Sequence, residues 1–294
     1  MNLEWYKVFY QAALTGSLSK AAEALYITQP AVTHSIKQLE QHLGGQLFFR
    51  TSKGVQLTEE GRVLFRYIEQ AFNFITTGEQ KLAELHDLMS GEIKIGAGDT
   101  LCRHYLLPYL QSFHARYPDI KIQVTNRTSP ETIKLLKEGR IDLGIVHLPV
   151  QEDRIHIRES LVIQDCFAAG ESYRELEGLP IPLSELNRFP LILLEQGSST
   201  RAYIDAYAAS HGVTLKPEIE LGSIDLLAEF AKTGLGIACI IQNFAGPELN
   251  AGDAGLFEIR LEPPIPPRKV GIVTLKDVPL SAAAKRFIDR LLEA

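Results

Sequence analysis

Between Thr58 and Met89, apolar or small residues recur at Leu64, Ile68, Ala71, Ile75, Gly78, Leu82, Leu85 and Met89, in alternating steps of four and three. Such steps put every member on one stripe of a helix, the seam of a heptad repeat. The pattern excludes a strand here and leaves an apolar stripe that must be covered, by the chain's own domain or by a second copy. Thr58 is the expected N-cap, with Glu59 and Glu60 in the first turn where the helix dipole favours anions. The seam begins directly after a hairpin pattern and stops at Ser90-Gly91, where a different composition starts, so a second copy is the expected cover. Leu64, Ile68, Ala71, Ile75, Leu82 and Leu85 are therefore predicted to hold a homodimer. The helix also divides the chain into a head of residues 1–57, a linker of residues 58–89 and a body of residues 90–294.

In the head, Leu3, Val8, Phe9, Ala12 and Ala13 keep a helical spacing, and Gly16-Ser17 supplies a stop and a fresh cap. A second helix is expected from Leu18 to about Tyr26. Thr28 then caps a third that reaches Leu43, with Pro30 tolerated in its first turn. Val32, Ile36, Leu39 and Leu43 form the inward stripe of this third helix. Pro30, His34, Lys37, Gln38 and Gln41 lie opposite, with Gln29 and Thr33 flanking near the N-terminus. A solvated helix shows a polar outer face too, but here two helices meet at a tight break and the second presents that face at its N-terminal end. This is the geometry with which a helix-turn-helix enters the DNA major groove. Phe48-Phe49-Arg50, Thr51-Ser52-Lys53-Gly54 and Val55-Gln56-Leu57 follow as a short hairpin, the order of elements of a winged helix-turn-helix. The candidate contacts to double-stranded promoter DNA are Ser19, Gln29, Pro30, Thr33, His34, Lys37, Gln38, Arg50 and Lys53. Gln and Thr suit base edges or phosphates, and the cations release counterions.

From Glu92 onward strands and helices alternate: Ile93–Gly96, a helix over Thr100–Tyr117, Ile120–Thr125, a helix over Pro130–Gly139, and Ile141–His147. That βαβαβ order predicts half of a parallel α/β sheet. A second half is read in Leu191–Leu194, a helix over Arg201–His211, Ile224–Thr233 and Gly236–Ile241. The run "EPPIPPRK" marks a return crossing before a strand over Val270–Leu275 and a last helix from about Ser281.

Net charge, −6 over 294 residues, argues against coating nucleic acid or an anionic membrane along the whole surface. It is unevenly spread, +2 in residues 1–66 and −8 in the rest. The N-terminus lacks the pattern of a secretory signal and no stretch approaches a membrane span, so a cytoplasmic protein is expected. Cys102, Cys166 and Cys239 are scattered, without metal-ligand spacing, and are expected to be reduced core thiols. Neither a metal nor a cofactor is called for. The nucleophile-elbow, P-loop and dinucleotide patterns of catalytic α/β domains are missing, which argues against an enzyme.

The segment "GSLSKAAEALYITQPAVTHSIKQLEQHLGGQLFFRTSKGVQLTEEGRVL" resembles the DNA-binding part of LysR-type transcriptional regulators nearly position by position. "LLPYLQSFHARYPDIKIQV", "LLKEGRIDLGIV" and "AKTGLGIA" resemble the regulatory part of that family more loosely. The resemblance implies a winged helix-turn-helix, a dimerising linker helix and a two-lobed α/β effector domain similar to periplasmic binding proteins. Lobe I would span about 90–161 and 268–294, and lobe II about 162–267. It also implies further pairing into a homotetramer and, for an activator, contact with RNA polymerase. His34 departs from the pattern, since family members often carry Ser or Arg there.

In an open α/β sheet, ligands bind beyond the carboxyl ends of the strands, near helix N-termini. Four such turns carry hydroxyls: Asp99-Thr100, Thr128-Ser129, Gly197-Ser198-Ser199-Thr200 and Gly222-Ser223. Thr100, Thr128 and Thr200 also resemble effector-contacting positions of the family. Asp99, Thr100, Thr128, Ser129, His147, Ser199, Thr200 and Ser223 are therefore candidates to bind a small polar or anionic cytosolic metabolite. His147 is expected where the chain crosses between lobes, adding a pH-dependent term. Alternatives are a thiol-based redox sensor, which needs an exposed, acidic Cys102 or Cys166, and a solute-binding protein, which the head argues against.

Overall fold

The computed structural model describes residues 2–51, 54–86, 91–245, 249 and 255–292. It divides into two compact units, residues 1–80 and 81–294. In the first, α1 (Leu3–Thr15), α2 (Leu18–Leu25) and α3 (Gln29–Leu43) pack around Phe9, Ala12, Ala21, Val32 and Leu39, all fully buried. Gly16 and Gly44 end α1 and α3 in the left-handed conformation. Leu43, expected in the inward stripe, is 45% exposed instead: it is the last residue of α3 and extends past the buried Leu39. The hairpin β1 (Phe48–Thr51) and β2 (Gly54–Leu57) runs in register from Phe48 opposite Leu57 to Thr51 opposite Gly54. Val55 N–H donates to the Gly16 carbonyl at 2.9 Å, and a Cβ on Gly54 would stand 2.2 Å from that oxygen. Only glycine lets the wing lie so close to the end of α1.

The long helix α4 (Glu59–His86) starts at Thr58, whose hydroxyl donates to Gln46 C=O at 2.6 Å and accepts from Gly61 N–H at 2.9 Å. Residues 87–90, which hold Met89 and the expected boundary with the body, lie outside the described residues.

The second unit holds two sheets. Strands β3 (Gly91–Ala97), β4 (Ile120–Asn126), β5 (Leu143–His147), β6 (Ile155–Ile163) and β13 (Arg268–Leu275) form one, in the order β4-β3-β5-β13-β6. The other, in the order β10-β9-β11-β7-β12-β8, is built from β7 (Asp165–Ala169), β8 (Pro180–Pro182), β9 (Leu191–Leu194), β10 (Pro217–Leu221), β11 (Ile237–Ile241) and β12 (Phe257–Glu262). Neither sheet is wholly parallel, because β13 runs antiparallel to β5 and β6, and β7 antiparallel to β11 and β12. Helices α5 (Asp99–Leu101), α6 (Leu107–Arg116), α7 (Ser129–Lys137) and α10 (Ala282–Leu292) accompany the first sheet. The second has α8 (Ser199–Ser210) and α9 (Ile224–Lys232). Between α5 and α6 the expected single helix passes through a π-helical turn, Cys102–Leu106.

The alternation of side chains on β7, β9 and β11 feeds two cores. Ala168, Ile192 and Ala238 join Ile93, Ile145 and Phe287 of the first lobe, whereas Phe167, Leu193 and Cys239 face Ile204 and Tyr207 of α8. The chain passes from the first sheet to the second at Gln164 and returns between Glu262 and Arg268. His147 is not at a crossing, because β5 is followed by β6 in the same sheet.

Candidate functional site

On the head, Gln29, Pro30, His34 and Lys37 of α3 are exposed and Thr33 and Gln38 half-buried. Thr33 and Lys37 line a groove of about 390 Å³ together with Arg50 of β1, Leu18 and Gln46. Leu47 N–H donates to Glu40 Oε1 at 2.8 Å, which ties the start of the wing to α3 and fixes the groove's width. The groove thus gathers the cations Lys37 and Arg50 and the Thr33 hydroxyl between a helix and a wing, with the Glu40 side chain also on its wall. Ser19 is exposed near the start of α2. Lys53 lies outside the described residues.

The seam of α4 is split. Leu64 and Ile68 are half-buried against the head's own core, and Phe65 and Phe72 stack on Tyr10 of α1 at 5.5 and 5.2 Å. These first two seam positions serve intramolecular packing, since α1 lies against that face. Farther along, Ala71, Ile75 and Leu82 are exposed, the last two at 47% and 61%, beside an exposed Tyr67. The side chain of Leu85 lies outside the described residues.

In the second unit, α7 presses onto the sheet where Thr132, fully buried, meets Gly96 and Gly144. A Cβ at either glycine would stand within 2.8 Å of the threonine methyl. This close approach brings Ser129, buried at the start of α7, to the end of β5, where its hydroxyl accepts from His147 N–H at 3.1 Å. Thr100 is buried beyond the end of β3, the strand beside β5. Thr128 is exposed, and its hydroxyl donates to Glu131 Oε2 at 2.8 Å: it caps α7, and its proton is spent there. Asp99 is exposed and accepts from Asn126 at 3.1 Å. At the start of α8 the cap is Ser198, which accepts from Arg201 N–H, with Ser199 half-buried beside it. Ser223 precedes α9, half-buried.

Two residues that sequence patterns did not single out organise this region. Arg268 opens β13 and is 4% exposed; Asp165 opens β7 and is 1% exposed. The guanidinium grips the carboxylate through Nε and, at 2.8 Å, through Nη2, which also donates to Thr200 Oγ1 at 2.9 Å. Arg268 thus reaches from the first sheet to the second. Its seat is fixed by the return crossing: Tyr203 and Tyr207 of α8 donate to the carbonyls of Pro266 and Pro263, at 2.8 and 2.5 Å, and the Tyr203 ring lies 5.3 Å from the guanidinium carbon. Gln164, at the outward crossing, donates to Ile265 C=O at 2.8 Å and joins the two crossings.

His147 lies opposite Val270, two residues along β13 from Arg268, so both side chains share one face of the sheet as diagonal neighbours. Burial, and then the Arg268 charge, push the His147 ring down to about 3. The imidazole is therefore neutral near pH 7, and the pH-dependent term expected of it is not available there.

A further link spans the lobes. Asp225, in the first turn of α9, accepts from Arg103 at 2.7 Å and is 3.1 Å from His104 Nε2, both in the π-helical turn. The His104 ring stacks on Phe244 at 5.2 Å. Burial works to raise the Asp225 pKa, but the bonds from His104 and Arg103 outweigh it and hold the carboxyl below its ordinary value. The thiols are placed for inertness: burial and nearby Asp99 push Cys102 up to about 11, and Cys166 and Cys239 are buried and raised further.

Comparison with known proteins agrees with this architecture. Residues 3–62 match the bacterial regulatory helix-turn-helix protein, lysR family, and residues 86–294 match the LysR substrate binding domain. The chain belongs to the LysR family of transcriptional regulators. It is 28% identical over 295 residues to the uncharacterized HTH-type transcriptional regulator YfeR of Shigella flexneri, covering 98% of this chain and 92% of that one. Full-length CbnR complexed with its target DNA shares the fold at a TM-score of 0.67 and 18% identity, covering 99% of both chains. The regulatory domain of Synechocystis PCC6803 CcmR in complex with 2-PG aligns at 0.62 and 22% identity, covering 69% of this chain and 96% of that one. Among the described residues no helix is long and apolar enough to cross a membrane, and no cluster of metal-ligating side chains is present.

Proposed function

We propose that this regulator binds promoter DNA through α3 and the wing and is controlled by a small polar or anionic cytosolic metabolite held between its two lobes. The observation that carries the reading is a contiguous polar chain: Ser129 bonds His147, His147 neighbours Arg268, and Arg268 bonds Thr200 of the other lobe. Thr100 stands at the same end of the first sheet. A ligand held there touches both lobes, so it can favour one arrangement of them over another. Residues 1–57 act as the DNA-binding head, 58–89 as the dimerising linker and 90–294 as the effector domain. Copies pair through the exposed apolar residues of α4 and pair again into a tetramer, and for an activator the assembly contacts RNA polymerase. The raised thiol pKa values speak against a redox-sensing cysteine.

The test is a thermal-shift screen of central metabolites against the wild type and Thr100→Val, with footprinting upstream of the neighbouring gene. A metabolite that stabilises the wild type more than the variant and alters the footprint is expected. One that stabilises both equally would remove the cleft assignment, and one that binds without altering the footprint would remove the coupling.

A further inference from the structure

In the polar chain of the cleft, two buried atoms have no hydrogen-bond partner among the described residues: Arg268 Nη1 and His147 Nδ1. Covalent geometry decides where the first one faces. Nε and Nη2 form the edge of the guanidinium that grips Asp165, so Nη1 lies on the opposite edge, with two N–H donors unspent. His147, the diagonal neighbour on the adjoining strand, offers the other orphan. A buried, unsatisfied polar atom costs on the order of 1–3 kcal/mol, more when charged, and two on neighbouring side chains of one sheet face call for a common partner.

We infer that the effector is a small oxyacid: an anionic oxygen, of a carboxylate or a phosphate ester, accepts from Arg268 Nη1, and an adjacent hydroxyl or carbonyl oxygen meets His147 Nδ1. The inference rests on the cleft reading above and names the ligand class of that site. An acceptor is required at Nη1 because a guanidinium only donates. Arg268 supplies the cation, since the His147 ring is held neutral by burial. A neutral imidazole carries one donor and one acceptor, so its tautomer adapts to a hydroxyl or to a carbonyl. Asp165 already balances the Arg268 charge, and the incoming anion is compensated by the N-termini of α7 and α8, where the hydroxyls of Ser129 and Thr200 accept from His147 N–H and Arg268 and keep their own protons to give.

The experiment uses the full chain and measures melting temperature and affinity at matched ionic strength. The probes are glycolate, lactate, pyruvate, malate and glycerol 3-phosphate, with glycolamide, lactamide and glycerol as uncharged counterparts and inorganic phosphate as the bare anion. At least one acid is expected to raise the melting temperature while its uncharged counterpart does not, and the carboxylates and the phosphate ester report separately which oxyanion is preferred. His147→Phe should weaken that acid about tenfold or more. Arg268→Met would leave Asp165 buried and alone, so the double change Asp165→Leu/Arg268→Met, neutral in charge, is the folded control and should abolish the response. An acid response unchanged in both variants would overturn the inference, as would inorganic phosphate binding as tightly as any organic acid. A response only to uncharged probes, lost in Thr200→Val, would overturn the oxyacid assignment and leave the cleft reading standing. Silence from every probe, as when one water bridges the two orphans, would overturn both.

Discussion

The neutral imidazole of His147 makes a quantitative prediction about acid sensitivity. Its pKa is about 3 in the folded chain, against roughly 6.5 for an unfolded histidine. Between those values the unfolded state binds more protons, so stability rises with pH there and falls as the solution is acidified below about 6.5. The sign is that of a base whose folded pKa is depressed: the site contributes no penalty at pH 7.5, and the penalty grows towards pH 3. Linkage gives a loss on the order of 1 kcal/mol from this one group between pH 7.5 and 5.5. For an effector domain of this size that corresponds to roughly 2–4 °C in melting temperature. The measurement is a difference between two proteins, so that acid effects elsewhere in the chain cancel. Melting curves of wild type and His147→Gln are recorded at both pH values, and the wild type should lose those additional degrees on acidification. Long-range nitrogen–proton NMR of the histidine rings provides an independent reading of the protonation state. Parallel pH dependence in the two proteins, or a His147 ring charged at pH 5.5, would refute the reasoning.

The remaining predictions concern the other elements. Lys37→Ala should weaken DNA binding across sequences and lower the salt slope by about one, whereas Gln29→Ala should relax preference at one base position; gel shifts over a salt series and a mutated half-site separate the two. Ile75→Asp should weaken the dimer in light scattering without lowering the melting temperature of the head, whereas Ile68→Asp should damage both because Ile68 packs on the head's core; Glu79→Lys should change neither. With its thiol near 11, Cys102 should react with iodoacetamide at pH 7.5 about two orders of magnitude more slowly than an exposed cysteine, and peroxide should leave the DNA footprint unchanged.

The elements that could be read in advance are those whose signal is local. Helices α1 to α3 announce themselves by four-and-three stripes and by Gly16 and Gly44 at their ends. β11 is a short, wholly apolar run, and β5 is one up to its last residue, His147. β6 was not legible, because as an edge strand it exposes His156, Arg158, Glu159 and Val162, and its ladder with β13 shifts register at Val270-Gly271, breaking the alternation. β10 is another edge strand, with Glu218 and Glu220 exposed. The sense of β13 was beyond reach for a different reason: "EPPIPPRK" marks a crossing, but only tertiary packing decides that the strand after it enters between β5 and β6 and runs against both. The α4 seam was legible as a stripe, yet its division between Tyr10 of the same chain and an exposed stretch depends on where α1 lies.

The same limit explains the site. Ser129, Thr200 and His147 stand at turns and strand ends that a sequence marks, whereas Asp165 and Arg268 are 103 positions apart and meet only because the two crossings run side by side. What the sequence does carry is a carboxylate immediately before the apolar run "CFAA" and an arginine directly after a proline-rich crossing, each a charge at the edge of a core strand. A buried ion pair contributes little net stability, since desolvation offsets the attraction, so its place at the crossings points to a role in geometry. It pins the lobes where the chain crosses, while the second link, Arg103 and His104 to Asp225, is partly exposed. On the proposed function, an effector seated between Ser129 and Thr200 therefore meets lobes fixed at one link and weakly joined at the other, and its binding energy is spent on the weaker link.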